Sequence, residues 1–225
     1  MDLLDMNVEG CLYFPKHGLI YINNPKAGCS TFKRALSGDY ETNGNDFHRR
    51  CNDKYMVKNF SVLEPGTPTV FISRDPVTRF HSCYHDKVKK ILYAESLPRH
   101  QAPPKPKRQL VEKIRELLNL PNRSFISMDM FIEFVRHEFK TLEASKINPH
   151  YRPQADIIRL AGGQPYFIGR LEDMPELWDR LQSKFKFSAP IAESMNVSRW
   201  KQPLQAPQIE AIKHLYAEDI EVLNY

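Results

Sequence analysis

Lys26, Gly28, Ser30 and Thr31 stand in one short run, Pro25-Lys-Ala-Gly-Cys-Ser-Thr31, and their types suit the binding of an anion. The apolar segment before them, Gly18-Leu-Ile-Tyr-Ile22, reads as a short buried strand, and the segment after Ser30 as the first turns of a helix. A strand that passes through a tight glycine turn into a helix leaves backbone N–H groups unpaired at the positive end of the helix dipole. Both features favour negative charge. Lys26 adds a cation, and Ser30 and Thr31 add hydroxyl donors. The expected ligand is phosphate or a group shaped like it. A Walker A loop is excluded, because its Lys follows the second glycine of Gly-x-x-x-x-Gly-Lys-Ser/Thr, whereas Lys26 precedes Gly28. On this run alone, a plain strand–turn–helix junction with an incidental surface lysine accounts for the residues equally well.

A second run favours the anion reading. Thr69 to Ser73 is apolar and β-branched, as a buried strand requires. Asp75 is a good N-cap, and Pro76 sits where proline belongs, at the first helical position. Thr78 and Ser82 share a helix face, with Asp86 a further turn along. Arg74 stands just outside the helix start, and a guanidinium there suits bidentate contact with a phosphate.

Together, Pro25 to Thr31 and the pattern Arg74-Asp75-Pro76-x-x-Arg79-x-x-Ser82-x-Tyr84 resemble the two cofactor motifs of the sulfotransferases that use 3′-phosphoadenosine-5′-phosphosulfate (PAPS). The flanking residues are most similar to the carbohydrate branch, typified by the chondroitin and dermatan enzymes. Weaker echoes occur at Asn148 to Gln154, Tyr166 to Glu172, Asn196-x-Ser198 and Tyr216 to Tyr225, so the resemblance covers nearly the whole chain. It implies a P-loop-like parallel β-sheet flanked by helices. It also implies that Lys26, Ala27, Gly28, Cys29, Ser30 and Thr31 hold the 5′-phosphosulfate, and that Arg74 and Ser82 hold the 3′-phosphate. The product would be adenosine 3′,5′-bisphosphate. Lys26 would stabilise the bridging oxygen as negative charge develops. A sulfuryl group carries less charge than a phosphoryl group, so no metal is expected.

An acceptor hydroxyl needs a general base. His48 follows the first helix at a distance similar to the catalytic His of several glycan sulfotransferases, in the polar stretch Asp46-Phe-His-Arg-Arg50. His150, in Asn-Pro-His-Tyr-Arg-Pro, matches a family segment with a His before an aromatic, and is the second candidate, as base or substrate contact. His81 and His85 read as packing or solvated residues, and His17, His100, His137 and His214 as surface ones. Arg152 and Arg170 suit either an anionic ligand or a structural salt bridge.

The chain has 225 residues, 41% hydrophobic and 26% charged, which fits one globular domain over residues 1–225, and strands alternating with helices argue for a parallel sheet of the α/β class. Its net charge of +5 suits anionic ligands without the basicity of a dedicated nucleic-acid binder. Four scattered cysteines indicate neither a zinc site nor a disulfide framework, and Cys29 and Cys83 are expected to pack as small apolar residues. Acidic Met1-Asp-Leu-Leu-Asp5 is unlike a signal peptide, and no apolar run is long enough for a membrane span, so a cytoplasmic protein is expected.

The remaining pattern predicts a polar loop over Gly38 to Asp46 and a turn over Glu64 to Pro68. Helices are predicted from Pro76 to about Tyr93, over 109–120, 127–139 and Pro175 to Phe185, and from Pro207 to Leu223. In the 127–139 helix, Phe131, Phe134, Val135 and Glu138 form a buried stripe. Pro165 to Ile168 is a third strand. The Pro-rich basic segment at about 97–108 reads as a solvated loop or as a flap whose Arg99, Lys105, Lys107 and Arg108 attract an acidic substrate. The expected acceptor is a hydroxyl on an acidic glycan, with small-molecule and lipid-linked alcohols open. A nucleotide or sugar kinase and a non-catalytic anion or nucleic-acid binder are the rival readings.

Overall fold

The computed structural model of the protein describes residues 10–42, 44–58, 63–97, 108–185 and 202–225. They fall into two compact units. The first takes its described residues from Met1–Asp75 and Arg152–Val197, the second from Pro76–Tyr151 and Ser198–Tyr225. Most of the 97–108 segment, with His100, and the Asn196-x-Ser198 echo lie outside the described residues. No described helix is long and apolar enough to cross a membrane.

The strands are β1 (Cys11–Phe14), β2 (Leu19–Ile22), β3 (Thr69–Ser73) and β4 (Phe167–Arg170). The helices, in chain order, are α1 (Cys29–Ser37), α2 (Gly44–Tyr55), α3 (Pro76–Tyr84), α4 (Lys90–Ser96), α5 (Gln109–Leu117), α6 (Met128–Thr141), α7 (Gln154–Leu160), α8 (Met174–Phe185), α9 (Ala206–Leu215) and α10 (Ala217–Leu223).

The first unit is an α/β layer built on one four-stranded sheet in the order β1-β2-β3-β4. β2, β3 and β4 are parallel, with Ile22 opposite Phe71 and Ser73 opposite Arg170. β1 pairs antiparallel with β2 at one edge. Alternate strand residues (Leu12 and Phe14, Leu19 and Tyr21, Val70 and Ile72) form one buried cluster with Phe32, Ala35 and Leu36 of α1, Phe47 and Cys51 of α2, and Trp178 of α8. The three-and-four spacing in α1 is what makes that face apolar. β2 is buried along its whole length, as a strand inside a mostly parallel sheet must be. β4 carries Gly169 because α8 comes so close: a Cβ there would lie 2.1 Å from Leu177 Cδ1.

The second unit is helical around its own core. Phe131, Phe134, Val135 and Glu138 of α6 are buried, as their spacing predicts. The Ser127 hydroxyl caps α6 by accepting from the Met130 N–H at 3.2 Å. Buried Glu138 accepts from the Tyr151 hydroxyl and the Lys113 ammonium. Arg79, also buried, donates to the Pro149 carbonyl at 3.1 Å, so this motif residue is tied into structure.

Several boundaries differ from the sequence reading. The helical run from Pro76 continues through a π-helical turn, His85–Lys89, into α4 and ends at Ser96. The terminal helix breaks into α9 and α10 at Tyr216, a buried ring whose hydroxyl donates to the Tyr151 carbonyl. β4 lies two residues beyond the predicted strand. β1, α2 and α7 were not predicted. The polar loop expected through Asp46 gives way to α2 at Gly44, because Phe47 and Cys51 supply a buried face to an otherwise polar segment.

Gly169→Ala is expected to cost about 1–3 kcal/mol through overpacking against Leu177. Urea denaturation checks this, and wild-type stability in the variant would refute the close approach.

Candidate functional site

β2 ends at Ile22 and the chain turns at once. The Ala27 N–H donates to the Asn24 carbonyl at 3.3 Å, closing a four-residue turn with Pro25 at its second position. Proline suits that position by its fixed φ. The third position, Lys26, has φ 70°, a conformation usually left to glycine. An L-residue there costs roughly 1–2 kcal/mol. Something must hold it, and Arg74 does: its Nη1 donates to the Lys26 carbonyl at 2.8 Å.

Gly28 follows with φ 72° and forms the N-cap of α1 without a side-chain capping bond. A Cβ at Gly28 would lie 2.7 Å from Leu171 Cδ1, so the turn rests directly on the residue after β4. The Phe32 N–H to Gly28 carbonyl bond, 3.2 Å, is the first closed turn of α1. The N–H groups of Cys29, Ser30 and Thr31 therefore have no acceptor within the helix. No acidic residue occupies the first turn to neutralise the dipole. The arrangement has the shape and polarity of a cradle that can hold an anion.

His48 reaches this cradle from α2. Its Nε2 lies 3.0 Å from Ser30 Oγ. α2 is held against α1 by two further contacts. The Lys33 ammonium donates to Asn52 Oδ1 at 2.9 Å, one turn beyond His48, and the Arg34 guanidinium lies 4.4 Å from the centroid of Phe47. Burial pushes the Lys33 pKa down, while the neighbouring Cys29 and Cys51 thiols act in the opposite sense.

The other edge of the cradle is a buried amide network. Gln154, fully buried at the start of α7, accepts from Asn24 Nδ2 at 2.7 Å and from the Arg74 N–H at 2.9 Å. Its own Nε2 donates to the Arg74 carbonyl at 2.8 Å. Asn24 Nδ2 also donates to the Ile72 carbonyl at 2.9 Å. Beside it, the Asp75 N–H donates to Glu172 Oε1 at 2.9 Å.

Lys26, Ala27, Gly28, Cys29, Ser30, Thr31, His48 and Arg74 all belong to the first unit, and the contacts above bring them together. Ser82 and His150 belong to the second. Ser82 is half-buried on α3. Asn148 Oδ1 accepts from the His150 backbone N–H at 3.0 Å and lies 2.8 Å from its Nδ1. His81 and His85 face one another, Nε2 to Nε2 at 3.1 Å. His17, expected at the surface, is half-buried with Nε2 3.0 Å from the Leu36 carbonyl, and burial lowers its pKa. Gln154, Leu171 and Glu172 close two of the four weaker echoes, but no local pattern marks them as supports. Their partners are too distant in sequence.

The thiols divide by environment. Burial pushes Cys11 up to about 12 and Cys51 up to about 11. Cys83 is buried, while Cys29, inside the cradle, is half-exposed.

The model of the sulfotransferase family matches residues 10–225, and so extends over both units. No curated protein and no solved structure matches the chain.

A thiol reagent at pH 8 is expected to modify Cys29 first and the other cysteines only on unfolding. Adenosine 3′,5′-bisphosphate should slow that modification severalfold. Equal labelling with and without the nucleotide, followed by peptide mapping, would contradict the cradle.

Proposed function

The chain belongs to the sulfotransferase family, whose members are PAPS-dependent transferases, and on that premise we propose that it sulfates a hydroxyl of an acidic carbohydrate with His48 as general base. The observation that carries this reading is the 3.0 Å contact of His48 with Ser30 at the head of α1, four residues from Lys26.

The cradle fits the donor. Three N–H groups without an intrahelical acceptor, a glycine N-cap and an unneutralised dipole suit the 5′-phosphosulfate. PAPS supplies the sulfuryl group. Lys26 then stabilises the charge that develops on the departing 5′-phosphate oxygen, as a preorganised donor worth about 2.7–4 kcal/mol. Ser30 and Thr31 give hydroxyl hydrogen bonds to the same phosphate. Arg74 and Ser82 keep the 3′-phosphate role that the resemblance gives them.

His48 Nε2 accepts the acceptor hydroxyl's proton as the acceptor oxygen bonds to sulfur and the bond from sulfur to the phosphate oxygen breaks. A lone pair on Nε2 requires that Ser30 Oγ–H be the donor in the resting contact; when that hydroxyl turns to the bound phosphate, Nε2 is freed for the acceptor. His150 is assigned a contact with the acceptor. With Nδ1–H given to Asn148, its lone pair is on Nε2.

The carbohydrate branch rests on the motifs that flank the two loops. A net charge of +5 and a sequence pI near 8.9 suit an acidic glycan over a neutral alcohol. Transfer of radiolabelled sulfate to acidic glycans, with none to small or lipid-linked alcohols, is the expected result of an acceptor screen. Label in the alcohols alone would overturn this part of the reading.

Two substitutions test the residue roles. Lys26→Gly relieves the positive φ, so the variant should be at least as stable as wild type while turnover falls roughly 10²–10³-fold. His48→Ala should lower kcat by about 10²–10⁴-fold and remove the acidic limb of the pH–rate profile, with binding of adenosine 3′,5′-bisphosphate nearly unchanged. Near wild-type transfer by either variant would show that the role is misassigned.

A further inference from the structure

We infer that Gln154 is a positioning residue that couples the two phosphate-binding loops, so that the protein grips both ends of one nucleotide with a fixed spacing. The inference rests on the donor-site reading above. It concerns how the site is held and not which residues touch the ligand.

One buried side-chain amide makes three hydrogen bonds to two loops that are far apart in sequence. Oε1 takes Asn24 Nδ2, from the turn that carries Lys26, and the Arg74 N–H. Nε2 gives to the Arg74 carbonyl. Both polar groups of the Arg74 backbone are thereby fixed by one side chain. Asn24 closes the network onto β3 through the Ile72 carbonyl, 2.9 Å away. The Arg74 side chain returns to the first loop by donating to the Lys26 carbonyl, 2.8 Å away.

The consequence is geometric. A shift of Arg74 relative to the Lys26 turn would break at least one of these bonds, and a bond broken in the interior leaves a polar group unsatisfied. The guanidinium and the head of α1 therefore move as one body. For a ligand with a phosphate at each end, the second contact is then made at no further cost in loop ordering. For a ligand with one phosphate, the coupling confers little. Gln154 thus sets the preference for a bisphosphate nucleotide over a monophosphate one.

The test compares adenosine 3′,5′-bisphosphate with 5′-AMP by calorimetry on the full chain. Gln154→Met keeps the volume and removes the amide. It should raise the Kd for the bisphosphate at least tenfold and that for 5′-AMP less than threefold. In turnover, KM for PAPS should rise while kcat at saturation changes less than threefold. Asn24→Ala cuts the same network at its other end, should show the same selective loss, and decides the matter if Gln154→Met fails to fold. Parallel loss of both ligands, or no loss of either, overturns the coupling. Wild-type protein that binds neither ligand overturns the donor-site reading and this inference with it, whereas wild-type binding with unselective variants overturns the inference alone.

Discussion

The parallel register of β2, β3 and β4 is the constraint on which the site depends. Because Ile22 lies opposite Phe71 and Ser73 opposite Arg170, the carboxyl ends of three strands reach one edge of the sheet together. The chain leaves that edge three times, at Asn24, Arg74 and Leu171, and side chains at each exit support another exit or its strand. Ligands in open α/β sheets gather at such edges because the strands stop there and leave backbone groups to be satisfied. Here the satisfaction is internal on one side, through Gln154 and Glu172. On the other, the first N–H groups of α1 have no acceptor within the helix, and there we propose the donor's phosphate.

Strain and support are matched at this edge. Lys26 sits in a backbone conformation that only glycine adopts freely, and Gly28 follows in the same region. Such conformations persist where the surroundings over-determine them. Arg74 fixes the Lys26 carbonyl and Leu171 fills the space over Gly28. The turn is thus shaped by the protein's own contacts, and the donors that the proposed role requires are fixed in advance. On the other flank, the Lys33–Asn52 bond and the Arg34–Phe47 contact set α2 against α1 and bring His48 to Ser30.

The parts legible in the sequence were those with short-range signals. β2, β3, the start of α1 and Pro76 at the head of α3 follow from apolar runs meeting glycine and proline, and Ser127 announces α6 by its capping chemistry. α2 was harder, because Phe47 and Cys51 are sparse apolar marks among glycine, asparagine and charged residues. β1 is only four residues long, with no alternation to betray it. The two motif loops stand out in the sequence, but the residues that hold them do not. Gln154 bonds to a partner 130 positions away, and Asp75 to one 97 away, and nothing local predicts either contact. His48 was named from its distance to the first helix. Its pairing with Ser30 follows from how α2 packs.

The most direct measurement is a crystal structure with adenosine 3′,5′-bisphosphate bound. The account predicts the 5′-phosphate against the N–H groups of Cys29, Ser30 and Thr31 and the 3′-phosphate at the Arg74 guanidinium. A nucleotide bound elsewhere, or reversed so that its 3′-phosphate fills the head of α1, would contradict it.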